Sequence, residues 1–195
     1  MSFEGRRLRQ DLQAGIEGMQ LMMQPIQDKF NETGWQPRQV FTLGNHEERL
    51  IRIAKDSPEF EGFISYDLLR LEMFGWEVHD FLKPVDIEGI FFVHYLSNPF
   101  TGKPYAGSAL NQLKTVGRSF VVGHKQTLDM AIRPTIDGKM QIGVVAGSCY
   151  PHDESYKGYV GNFHFRGLIM LHEARDGFAL PMPVSLDYLQ NRYVK

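Results

Sequence analysis

From 4 to 30, Leu8, Leu12, Ile16, Met19, Met22, Met23 and Ile26 recur every three or four residues. This is the spacing of one buried helix face, and it predicts a helix that Asn31-Glu32-Thr33-Gly34 ends. The pattern then changes period. Val40-Phe41-Thr42-Leu43 closes a short run of β-formers from Arg38, and it leads straight into the polar cluster Gly44-Asn45-His46-Glu47. Helical patterning is expected over 47–54 and again over 66–74.

The second half repeats this grammar. Ile90-Phe91-Phe92-Val93 runs into His94, and Ser119-Phe120-Val121-Val122 runs into Gly123-His124. Runs that are apolar on both faces suit central strands covered by helices, and 106–116 offers a helix between them. Met140 to Ala146, 162–173 and 178–185 read as later strands, the last two joined as a hairpin through Arg175-Asp176-Gly177. The expected fold class is α/β, a sandwich with mixed β-sheet flanked by helices. No linker or repeat divides the chain, so 1–195 is expected to be a single domain.

Three strand ends thus carry Asn45, His94 and His124, and the carboxyl ends of strands are where open α/β sheets bind ligands. An amide oxygen and two imidazoles are neutral donors suited to manganese, iron, zinc or nickel rather than calcium.

Composition narrows the field. With 195 residues, 43% of them hydrophobic, the chain can bury one core. A net charge of -2 leaves no broad basic surface for nucleic-acid phosphates. The single cysteine, Cys149, excludes an internal disulfide and a thiolate zinc site, and is expected to be a buried structural thiol. There is no signal-peptide pattern and no apolar run long enough to span a bilayer, so a cytoplasmic protein without a membrane partner is expected.

Gly44-Asn45-His46-Glu47, the isolated His94 after a strand, and Gly123-His124-Lys125-Gln126 come in the order of the last three motifs of the calcineurin-like metallophosphoesterases, which the sequence resembles over nearly its whole length. The texture from Ser2-Phe3-Glu4-Gly5-Arg6-Arg7 to Ser185-Leu186-Asp187-Tyr188-Leu189 resembles phage-encoded members. The resemblance implies that Asn45, His94 and His124 hold the second metal of a dinuclear site. It also implies that His46 donates to the leaving oxygen while the paired metals supply hydroxide for in-line attack on phosphorus. Glu47 and Asp80 are candidate acceptors that orient histidine nitrogens.

Two departures accompany it. The Asp-x-His and Gly-Asp-x-x-Asp motifs of the family do not occur upstream of Gly44, so its N-terminal strands are expected to be missing. Gln126 stands where the family has its last histidine. The implied substrate is a phosphomonoester or phosphodiester, with nucleic acid or a nucleotide among the candidates. The implied partner is an N-terminal polypeptide or a second copy of the chain. The alternative is a catalytically degenerate binding or structural module. The remaining histidines, His79, His152, His164 and His172, are expected at the surface or hydrogen-bonded. Lys125 is expected in solvent. Tyr150, Tyr156 and Tyr159 lie in a loop that could stack on a base.

Overall fold

The computed structural model describes residues 8–154 and 158–194. Tyr156, the side chain of Tyr159 and the segment 1–7 lie outside the described residues. The chain divides into two compact units, Met1–Phe81 and Leu82–Lys195.

In the first unit, helix α1 spans Leu8–Thr33. Its apolar spacing does what periodicity requires: Leu8, Leu12, Ile16, Met19, Met23 and Ile26 are half-buried, whereas Met22, off that stripe, is exposed. Pro25 sits inside the helix without ending it. Gly34 at φ 71° ends it instead, its N–H bonding to Phe30 O at 2.7 Å. Strand β1 (Val40–Thr42) pairs in parallel with β2 (Glu77–His79), and Leu43 N–H extends that ladder to His79 O at 3.0 Å. Trp76 joins this small sheet to α1. Its ring meets Phe41 edge-on at 5.9 Å while its indole N–H points at Met19 Sδ, 3.1 Å away. Helix α2 covers Glu48–Asp56.

The helix expected over 66–74 is instead two 3₁₀ turns, Tyr66–Leu69 and Glu72–Phe74. Arg70 adopts φ 55°, which an α-helix cannot contain, and Gly75 at φ 79° closes the second turn.

The second unit is built on a mixed five-stranded sheet of order β3-β4-β5-β7-β6. Its strands are β3 (Val85–Ile87), β4 (Ile90–Val93), β5 (Phe120–Val122), β6 (Leu128–Pro134) and β7 (Met140–Ala146). The central three, β4, β5 and β7, run parallel, and the edge strands β3 and β6 are antiparallel to their neighbours. The two parallel pairs explain the apolar-on-both-faces runs. One face buries Val93, Leu113, Phe120, Val122 and Val145 together with α3 (Ala109–Val116). The other buries Ile90, Ile142, Val144 and Ala179 with residues of the hairpin β8 (Gly167–Arg175) and β9 (Phe178–Ser185). Helix α3 starts where Ser108 caps it, its Oγ accepting from Asn111 N–H, and ends at Gly117 with φ 67°. A four-residue helix, α4 (Gly158–Gly161), precedes β8, and α5 (Leu186–Tyr193), capped by Ser185, follows β9.

Mixed α/β architecture is therefore what the hydrophobic pattern predicted. Among the described residues, no helix is long and apolar enough to cross a membrane.

Candidate functional site

The parallel strands β4 and β5 are in register, Val93 opposite Val122, so the residues that follow them emerge side by side at the carboxyl end of the sheet. The backbone reinforces this: His94 O accepts from both Gly123 N–H, at 3.2 Å, and His124 N–H, at 3.0 Å. The two imidazoles then meet. His124 Nδ1 lies 3.0 Å from His94 Nε2, with ring centroids 4.9 Å apart, and Tyr95 packs 5.0 Å from the His124 ring. His94 is half-buried and His124 exposed.

That separation has a chemical meaning. Two nitrogens bound at about 2.1 Å to one cation, at right angles, stand about 3.0 Å apart. The same distance suits an N–H···N hydrogen bond between neutral rings when no cation is present. Among the described residues, no group of three or more His, Cys, Asp or Glu side chains is arranged to hold a metal ion.

Asn45 and His46 belong to the first unit, in the turn 45–47 between β1 and α2. Asn45 is half-buried and His46 exposed. The turn is held from within: Glu47 Oε2 accepts from Gly44 N–H at 2.7 Å, and Arg52 Nη2 donates to Asn45 O at 3.4 Å. Glu47, a candidate acceptor for a histidine nitrogen, uses one carboxylate oxygen on the backbone of the motif's own glycine. Asp80 is exposed after β2. Next to the turn, Tyr66 donates a short hydrogen bond to Glu48 Oε2. Burial, then that contact, pushes the Tyr66 hydroxyl well above its ordinary pKa.

Beyond His124 the chain is tied down. Lys125, expected in solvent, is half-buried and donates to Gly107 O at 2.9 Å. Gln126 Nε2 donates to the Tyr150 hydroxyl at 2.5 Å. Cys149 is exposed rather than buried, a correction with a simple cause: it follows Ser148, which faces inward at the end of β7 and bonds to Phe165 O. Its thiol is nevertheless pushed up by partial burial, which disfavours the nucleophilic thiolate.

The other histidines divide. His79 Nε2 meets Glu77 Oε1 at 2.7 Å, His172 is exposed, and His152 lies 3.8 Å from Glu154. His164 departs from expectation, because both its ring nitrogens are buried without a hydrogen-bond partner. In Gly161-Asn162-Phe163-His164-Phe165 the one available signal is a histidine between two phenylalanines.

Comparison with known protein families, curated proteins and solved structures finds no match for this chain.

Proposed function

We propose that this chain carries the second-metal part of a calcineurin-like phosphoesterase site and takes part in metal-dependent hydrolysis of a phosphomonoester or phosphodiester. The observation that carries this reading is the His94–His124 contact of 3.0 Å at the carboxyl ends of adjacent parallel strands. In this reading His94 and His124 would hold a divalent cation, manganese, iron, zinc or nickel. The cation, when bound, supplies charge for the phosphate oxygens. His46, to which the resemblance gives the role of proton donor to the departing oxygen, is exposed in the turn before α2. Glu47 keeps the turn that presents it closed on Gly44.

The test is manganese binding followed by calorimetry, paired with turnover of a chromogenic aryl phosphodiester. One weakly bound Mn²⁺ per chain is expected, with affinity falling about ten-fold or more in His94→Ala and in His124→Ala. Turnover, where present, falls about a hundred-fold in His46→Ala while manganese affinity stays unchanged. Manganese affinity indifferent to both strand-end substitutions would sink the reading.

One observation favours a second reading, a non-catalytic binding or structural module. Gln126 occupies the place of the family's last histidine, and its amide is already engaged by Tyr150. A protein that binds manganese through His94 and His124 yet turns over no phosphoester, alone or with a supplied N-terminal partner, is the outcome that selects this reading.

A further inference from the structure

The five-stranded sheet has two edges of different character. At one, β3 has three residues, and the turn after it is tied to the β8–β9 hairpin by Gly177 N–H donating to Glu88 O at 2.7 Å. At the other, β6 runs for seven residues, Leu128–Pro134, paired to β7 throughout without a bulge. Among the described residues no strand lies beyond it. An edge of that length turns a row of backbone donors and acceptors outward, and natural sheets blunt such edges with bulges, lysines or a covering element. Strand β6 has neither bulge nor lysine, and it shows Met130, 38% exposed, and Ile132, 47% exposed.

Hydrogen-bond parity says which residues face outward. Thr135 N–H donates to Lys139 O at 2.8 Å, one step beyond the end of the β6–β7 ladder, so Arg133, Ala131 and Asp129 also aim their backbone groups at β7. Ile142 N–H points the other way, to Ser119 Oγ at 3.1 Å, which agrees with that phase. Leu128, Met130, Ile132 and Pro134 therefore aim theirs away from the sheet. Pro134, lacking an N–H, stands where β7 needs none.

We propose that β6 pairs antiparallel with β6 of a second copy of this chain, about a two-fold axis at Ala131, joining two five-stranded sheets into one. The strand is its own complement in that register. Met130 and Ile132 exchange N–H···O=C bonds with the partner's Ile132 and the partner's Met130, and their side chains meet as apolar cross-strand pairs. On the opposite face Asp129 lies across from the partner's Arg133, and the small Ala131 meets its own copy at the axis. Only the register centred on Ala131 makes that charge pairing, so charge complementarity selects both the occupant and the alignment. The two charged groups keep capacity for it: Asp129 uses Oδ2 on Ala109 N–H at 2.6 Å, and Arg133 uses Nε on Gln141 Oε1 at 3.1 Å. One strand edge buries less than the ~800 Å² per partner of a standard interface, so the association is weak and concentration-dependent. The histidine pair takes no part in it.

Sedimentation equilibrium of the full chain, from about 10 µM to about 1 mM, tests this. A reversible monomer–dimer equilibrium is expected. Amide exchange at Met130 and Ile132 should slow as concentration rises, whereas that at Ala131, already bonded to β7, should not. Ile132→Lys and Arg133→Glu should each weaken dimerisation about ten-fold or more, and because Ile132 is exposed its replacement leaves the circular dichroism of the fold unchanged. The register is read by oxidation in a Cys149→Ser background: Ala131→Cys should cross-link, its two copies about 4.5 Å apart at Cα, and Ile132→Cys should not. A chain still monomeric at about 1 mM, Met130 and Ile132 amides indifferent to concentration, or cross-linking through Ile132→Cys instead of Ala131→Cys would each overturn the inference. A dimer as tight in Ile132→Lys or Arg133→Glu as in the wild type overturns it too, and moves the contact to another surface, such as the exposed Leu168, Met170, Leu180 and Met182 of the hairpin.

Discussion

At the scale of single residues, the informative side chains are those whose hydrogen bonds are already spent. Glu47 is one. Its carboxylate satisfies the N–H of Gly44, which is buried, so Glu47→Ala leaves a backbone donor sealed without a partner. A loss of about 1–3 kcal/mol is expected, read as a lower urea midpoint with unchanged slope. Glu47→Asp, too short to reach back, should lose nearly as much; a neutral outcome in both variants would mean that the turn holds itself. Glu77 is another. The Arg38 guanidinium, bonded through two nitrogens at 2.9 Å, and then His79 hold its carboxyl down at about 2. A carboxylate whose pKa is lowered by folding stabilises the protein above its ordinary value and loses that contribution as pH falls through the folded one. Stability from this contact should therefore fade between about pH 4.5 and pH 2, modestly, because the pair is exposed and screened. NMR titration of the Glu77 carboxyl tests this: Arg38→Ala should return its midpoint toward the ordinary range, and an unchanged midpoint would assign the depression elsewhere.

Residue-level chemistry was only partly legible in the sequence. His94 and His124 could be singled out because each follows an apolar strand, and strand ends of a parallel pair must emerge together. Lys125 and Gln126 could not. Their partners, Gly107 and Tyr150, lie 18 and 24 residues away in the chain, and no local pattern encodes such contacts. His164 escaped for the same reason: its lack of a partner is a property of the packed loop.

At the scale of elements, legibility followed burial. Strands β4, β5 and β7 were readable because parallel central strands are apolar on both faces, and α1 because one stripe of it is covered. The missed strands β2 and β3 have three residues each and an exposed first or middle position, Glu77 and Asp86, so neither period emerges. Strand β6 was missed because it forms the sheet's edge and ends in Arg133-Pro134, a composition proper to edges but weak as a strand signal. One glycine shows how tightly the readable elements fit. Gly143 in β7 lies beneath α3, and a Cβ there would stand 2.8 Å from Leu113 Cδ1 and 2.9 Å from Phe120 Cζ. Both neighbours are fully buried, so neither can give way freely. Gly143→Ala should cost about 1–3 kcal/mol by overpacking. Pairing it with Leu113→Ala, which alone should cost about 2–5 kcal/mol through its cavity, should recover part of the loss. Strictly additive costs in the double variant would show that the two sites do not share space.

At the scale of the whole molecule, the two units differ in how much core they own. Among the described residues, the buried apolar side chains of the first unit are Leu43, Leu50 and Leu71, and its longest element, α1, has none fully buried. Leu21, Phe63 and Met73 are each 77% exposed there. The second unit buries Leu113, Phe120, Ile142, Val144 and Val145 almost completely, on both faces of one sheet. Since local opening is easiest where few apolar contacts must be broken, the units should not share one opening free energy. Amide hydrogen exchange should find the slowest protons on β5 and β7, and markedly faster exchange on α1, β1 and β2. The functional corollary is specific: His94 and His124 sit on the sheet with the deeper core, whereas Asn45 and His46 sit on the unit with the shallower one. Manganese held by the histidine pair should consequently protect β4 and β5 more than β1, and should survive a urea concentration that already exposes the amides of α1. Equal protection of α1 and β5 in the metal-free protein would show that the first unit draws its stability from something other than its own buried side chains, and the expected order of loss would then fail.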